Sequence, residues 1–176
     1  MKTPICVFAL IIFNLNFVFG QNFQSPEEAT QFATQEIQSF QNYDLFSTST
    51  LTVPESVRDI ATDASFLNVD NALLAQIQQD KPQFIQFQIQ HGSETFLIKM
   101  QRQEVLTEDF SVRNENDEIL DYNPGLYYRG IVNDERSSLA VFNLFSESVN
   151  GVISQINTGN RIIGQLQESQ NYVIYS

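Results

Sequence analysis

From Gln83 onward apolar and polar residues alternate, and the alternation limits what this part of the chain can form. "QFIQFQIQ" puts Ile85, Phe87 and Ile89 on one face and Gln86, Gln88 and Gln90 on the other. "HGSE" reads as a turn, and "TFLIKMQ" answers with Phe96, Ile98 and Met100 against Lys99 and Gln101. A period of two with one apolar face predicts an antiparallel hairpin with one dry side. Shorter pieces follow: "DFSVR", "EILDY", "LYYRGIV", "SLAVFNLF", "GVISQI", "RIIGQL" and "YVIY". Polar breaks such as "NENDE", "YNPG" and "NDER" separate them, a rhythm that predicts consecutive hairpins.

Before Gln83 the period is longer. In "SPEEATQFATQEIQSFQNYDLF", residues Ala29, Phe32, Ala33, Ile37 and Phe40 make one helical stripe. Ser25 is placed to cap it, Pro26 suits the first helical position, and Glu28 completes a capping box. A helix is expected over residues 26–42. Residues 47–65 are polar and broken by Pro54, which predicts a connector with one short helical turn after the proline. "VDNALLAQIQQDKP" predicts a second helix, capped by Asp70, striped by Leu73, Leu74 and Ile77, and stopped by Pro82. The expected fold class is therefore α+β: N-terminal helices followed by an antiparallel β meander or sandwich. The expected division is a helical segment over residues 21–82 and a β core over residues 83–176.

The first residues carry a different message. Met1-Lys2 precedes an apolar run from Ile5 to Phe19, interrupted only by Asn14 and Asn16. Val18 and Gly20 suit the −3 and −1 positions of a cut before Gln21, so residues 1–20 read as a secretory signal. The run is shorter than the roughly 20 residues a membrane span needs. The expected location is outside the cytoplasm, secreted or in the periplasm or envelope. The single cysteine, Cys6, lies inside that signal, so the processed chain would hold itself together without disulfides.

Charge narrows the partners. Losing Lys2 would lower Lys+Arg from 9 to 8 against 21 Asp+Glu, a net charge of −13. Nucleic acid and anionic membranes are repelled by such a chain; a basic surface is not. Candidate chemistry is sparse. The one histidine, His91, sits in "QHGSET" and reads as an exposed turn residue. A hydrolytic zinc site needs two or three histidines, and a serine nucleophile would lack the G-x-S-x-G elbow. No glycine-rich phosphate cradle is present. "NENDEILD" gathers Glu115, Asp117, Glu118 and Asp121, but a calcium loop starting at Asn114 would need glycine where Ile119 stands. No catalytic residue, metal site or cofactor is expected.

Within "LYYRGIVNDERSSLAV", Tyr127 and Tyr128 fall on opposite faces of one strand, and Gly130 permits a bulge or a close backbone approach. The order of "TFLIKMQRQEVLTEDFSV", "LYYRGIVNDERSSLAVFNLF", "VNGVISQINTGNRIIGQL" and "NYVIY" resembles the prodomain of reprolysin-type (ADAM and snake-venom type) secreted zinc metalloproteases over about 90 residues. Tyr127, Tyr128, Arg129, Gly130, Ser138 and Gly151 carry the best of it and become docking candidates. Two departures stand out. Leu126 and the region of Ser146 replace cysteines found in many relatives, which suggests a bacterial-style version. The thiolate that occupies the catalytic zinc in many such proteases has no counterpart here. The resemblance implies a non-catalytic latency and folding module, here without its catalytic domain. Its partner would be a zinc metalloprotease catalytic domain, in cis or from a neighbouring gene. A free-standing secreted or envelope binding or adhesion module is the alternative.

Overall fold

The computed structural model describes residues 40–50, 63–167 and 169–176. The expected signal at 1–20 and the helical turn after Pro54 lie outside these residues. So does all but the end of the helix expected at 26–42, and its last two residues, Gln41 and Asn42, form a strand.

The described chain is dominated by one sheet. Its strands in chain order are β1 (Gln41–Asn42), β2 (Phe46–Thr48), β3 (Ser65–Val69), β4 (Phe84–His91), β5 (Glu94–Gln103), β8 (Leu126–Val132), β9 (Glu135–Leu144), β10 (Val149–Gln155), β11 (Gly159–Gln165) and β12 (Tyr172–Tyr175). They pair in the order β1-β4-β5-β8-β9-β10-β11-β12-β3-β2. A separate two-stranded pair, β6 (Val112–Arg113) with β7 (Ile119–Leu120), sits between β5 and β8. Among the described residues there is one helix, α1 (Asn71–Asp80). It is not long and apolar enough to cross a membrane.

This corrects the α+β expectation. The protein is mostly β, a curled ten-stranded sheet, and three of its strands come from before residue 83. β3 falls between the expected connector and helix, and β1 and β2 escaped the pattern because they are only two and three residues long. Such pieces are too short to show alternation, and only their partners define them. They also close the sheet. β1 pairs in parallel with β4, while β2 pairs antiparallel with β3 at the opposite edge. Three residues, Tyr43 to Leu45, join them. The Tyr43 N–H donates to the Gln86 carbonyl at 2.9 Å, and the Ser49 N–H to the Phe66 carbonyl at 2.9 Å. One segment thus pairs with both ends of the sheet and bridges them, giving a barrel-like curl.

The interior follows from the pleat. Ile85, Phe87, Ile89, Phe96, Ile98 and Met100 are all buried, as the hairpin pattern predicts. Phe46 from the closing segment packs on Phe87 at 5.2 Å between ring centroids, and Phe87 meets Phe142 edge-on at 5.1 Å. Each such side chain contributes about 1.5–3 kcal/mol by leaving water. With no disulfide among the described residues, this burial is what holds the barrel.

Helix α1 starts as its sequence says it should. The Asp70 carboxylate accepts from the N–H groups of Ala72 and Leu73, at 2.9 and 3.1 Å. Lys81 ends the helix in a left-handed conformation, φ 46°. Leu74 and Ile77 are fully buried in the core. The Gln78 amide donates to the Leu144 carbonyl at the end of β9, and the Tyr128 hydroxyl donates to the Pro82 carbonyl at 2.8 Å. The helix therefore covers one end of the barrel.

Candidate functional site

Two places hold groups capable of recognition or chemistry: the open end of the barrel around His91, and the excursion between β5 and β8.

His91 ends β4, two residues after inward-facing Ile89, so the pleat turns it inward. It is buried, not the exposed turn residue its neighbours suggested. Its Nδ1 lies 2.9 Å from the Ser65 hydroxyl, which also accepts from the Gly92 N–H at 3.1 Å. Its Nε2 lies 3.5 Å from the Asp63 carboxylate. The neutral tautomer with its proton on Nε2 satisfies every partner: Ser65 donates to Nδ1, and Nε2–H points at Asp63. The Asp63 carboxylate also accepts from the Ser176 hydroxyl and, at 3.2 Å, from the Ser176 N–H. The Ser176 hydroxyl is the main cause that holds the Asp63 carboxyl below its ordinary range. Its N–H and His91 add to this, while burial opposes it.

Serine, histidine and aspartate together invite comparison with a hydrolytic triad. The geometry gives them another job. The cluster joins β3, the β4–β5 turn and the end of β12, so it laces the seam of the barrel. The Ser65 oxygen is already shared between Gly92 and His91, and the larger cavities lie elsewhere. Among the described residues no three His, Cys, Asp or Glu groups are placed to share a metal ion.

The six docking candidates separate. Tyr128 is buried, and burial pushes its phenol pKa far up. A Cβ on Gly130 would stand 1.8 Å from the Lys99 carbonyl oxygen, so β5 and β8 can approach only there without a side chain. Gly151 makes the same room for the Phe142 ring, 2.3 Å from where a Cβ would be. The Ser138 hydroxyl accepts from the Val132 N–H at 2.8 Å and donates to the Glu135 carbonyl at 2.6 Å, inside the bulge that follows Gly130. These four build the barrel and cannot meet a partner while it stays closed. Tyr127 and Arg129 are half-buried on the outer face.

The excursion, residues 104–125, is built the opposite way. β5 and β8 pair with each other, so the 22 residues between them leave the sheet. At the tip, Asn114 folds the β6–β7 turn: its side-chain oxygen accepts from the N–H groups of Asn116 and Glu118, both at 3.0 Å. Asp117 takes a left-handed φ of 64°. The "NENDEILD" acids are thus spread around a turn whose one amide oxygen serves the backbone. Below the tip, Val105, Phe110, Ile119, Leu120 and Tyr122 are all exposed, Ile119 to 66%. Phe110 and Tyr122 lean together at 5.9 Å. A cavity of about 690 Å³ opens beside them, lined by Leu106, Phe110, Val112, Leu120 and Tyr122 together with Glu104, Glu108 and Asp121. A smaller one of about 320 Å³ adjoins it at Glu104, Leu106 and Pro124 and reaches Tyr127 at the root of the arm.

Residues 104–122 carry seven of the chain's 21 acids and a single cation, Arg113. That cation is held by Asp117 at 3.2 Å. The alternation in "DFSVR" and "EILDY" found the strands of this arm; it carried no signal that both of their faces would stay wet. No protein-family model matches the chain, and no curated protein or solved structure matches it.

Proposed function

We propose that the protein is a non-catalytic, secreted binding module that works through the β5–β8 arm. One observation carries this reading: five of the eight exposed large apolar side chains among the described residues are gathered on this one excursion, and the other three, Val152, Ile156 and Ile162, lie on the barrel. Exposed apolar groups gathered beside a groove mark interaction sites more often than they occur by chance. Hydrogen exchange on the protein, with and without the extracellular fraction of its source, tests the reading. Protection should concentrate in residues 104–122. Unchanged exchange there, or protection on the outer wall at Val152 and Ile162 instead, would remove its support.

The metalloprotease prodomain is a particular form of the same reading, with the catalytic domain as partner. It is favoured by the order of the segments around Tyr127 to Gly130 and Gly151. In this form the barrel acts as a shaped body and the arm, with Tyr127 at its root, makes the contact. Mixing the protein with a reprolysin-type catalytic domain should lower its activity or raise its refolding yield. Failure of both would leave the free-standing module.

A further inference from the structure

The arm's chemistry identifies the kind of partner. We infer that the groove beside β6–β7 receives a cationic polypeptide segment that carries an apolar or aromatic side chain between its basic residues. This rests on the docking reading above and specifies its partner.

Three features converge. The larger cavity is lined by apolar side chains and by Glu104, Glu108 and Asp121, with no lysine or arginine among the described residues of its wall. Among the described residues Glu108 and Asp121 have no ion-pair partner, and Arg102 at the inner end is occupied by Glu104 at 3.1 Å. An incoming cation would therefore meet free carboxylates. The aromatic pair of Phe110 and Tyr122 stands at the rim, half exposed, 47% for each. Rings so placed suit both an apolar side chain and a guanidinium or ammonium above their faces. Finally, among the described residues β6 and β7 form a pair with no third strand, and two short strands alone are marginally stable in water. An extended segment laid along either edge would add a strand and steady the arm. Anionic lipid and nucleic acid are repelled by this surface, which leaves protein as the source of the cation.

The probe is a short peptide of alternating lysine and phenylalanine. Its controls replace every lysine by glutamate, or every phenylalanine by serine. Anisotropy titrations on the whole protein, at about 0.05 M and about 0.5 M salt, compare them, since exposed charges are screened over that range. The lysine–phenylalanine peptide should bind, and bind more weakly in high salt. The glutamate control should not bind, and the serine control should bind less. Phe110→Ser/Tyr122→Ser should weaken binding roughly tenfold or more, with thermal stability unchanged. Val152→Ser/Ile162→Ser, on the barrel wall, should leave it intact. Equal binding of the cationic and anionic peptides, equal binding of the serine control, or indifference to the arm variant would overturn the inference. If the peptide fails to bind while hydrogen exchange still shows arm protection, docking stands and the cationic partner falls. If both fail, both proposals fall.

Discussion

The barrel and the arm are both built from alternating apolar strands, yet they treat their side chains in opposite ways. In β4 the inward Ile85, Phe87 and Ile89 are completely buried. In β7 and the residue pair beyond it, Ile119, Leu120 and Tyr122 are all exposed. The difference lies in connectivity. Each strand of the barrel from β4 round to β3 has neighbours on both sides, and the Tyr43–Leu45 link joins the two end strands β1 and β2, so the inward faces meet one another. Among the described residues β6 and β7 have only each other. Apolar content thus says that a segment wants a partner. Whether that partner lies inside the chain depends on whether the sheet has closed without it.

Substitutions can break or sharpen this contrast. Phe142 is fully buried against Phe46, Phe87 and Gly151. Phe142→Ala should cost about 3–5 kcal/mol in chemical denaturation, by cavity formation. Gly130→Ala would force a methyl group onto the Lys99 carbonyl and should cost about 3 kcal/mol, from overpacking that no side-chain rotation relieves. A loss near zero would mean that β5 and β8 do not approach as described. Tyr128→Phe leaves the buried Pro82 carbonyl without its donor and should cost about 1–3 kcal/mol. Hydrogen exchange should show the loss concentrated where α1 meets the barrel.

The seam should respond to acid. The Asp63 carboxyl is depressed below its reference value of 3.8, so its contribution is complete above that pH and fades as pH falls through the lower, folded value. Wild-type protein should exceed Asp63→Asn in thermal midpoint near neutral pH, and the gap should narrow below about pH 4. A gap that holds constant down to pH 2 would show that Asp63 contributes no charge to the seam. The smallest effect belongs to the arm. Phe110→Ser/Tyr122→Ser should shift stability by no more than about 0.5 kcal/mol, measured in the same denaturation series. A loss comparable to Phe142→Ala would make the arm part of the core.

Much of the β half was legible because its signals are local. The hairpin of β4 and β5, the strands β8 to β12 and the Asp70 cap of α1 each follow from neighbouring residues. The break "NDER" overstates its turn by two residues: Glu135 and Arg136 belong to β9, and Asn133 and Asp134 alone make the turn with positive φ, 52° and 59°, as a two-residue hairpin requires. The site was less legible. The alternation of β4 extends one residue into "HGSE", so His91 could have been placed inside by counting from Ile89, but a histidine before glycine reads as a turn. Its partners Asp63 and Ser65 lie 28 and 26 positions away, and nothing local links them.

The sequence alone decided what repeats at short range: alternation along the strands, the Asp70 cap, and an acid-rich stretch with few basic residues. These depend on contacts within a few residues, so they can be read in order. Tertiary structure decided the rest. It turned 41–48 into the stave that closes the sheet, made Gly130 and Gly151 obligatory, and drew His91, Asp63 and Ser65 into one seam. It also left the arm outside. Each of these depends on which strands become neighbours, and a pattern with period two carries no information about its neighbour.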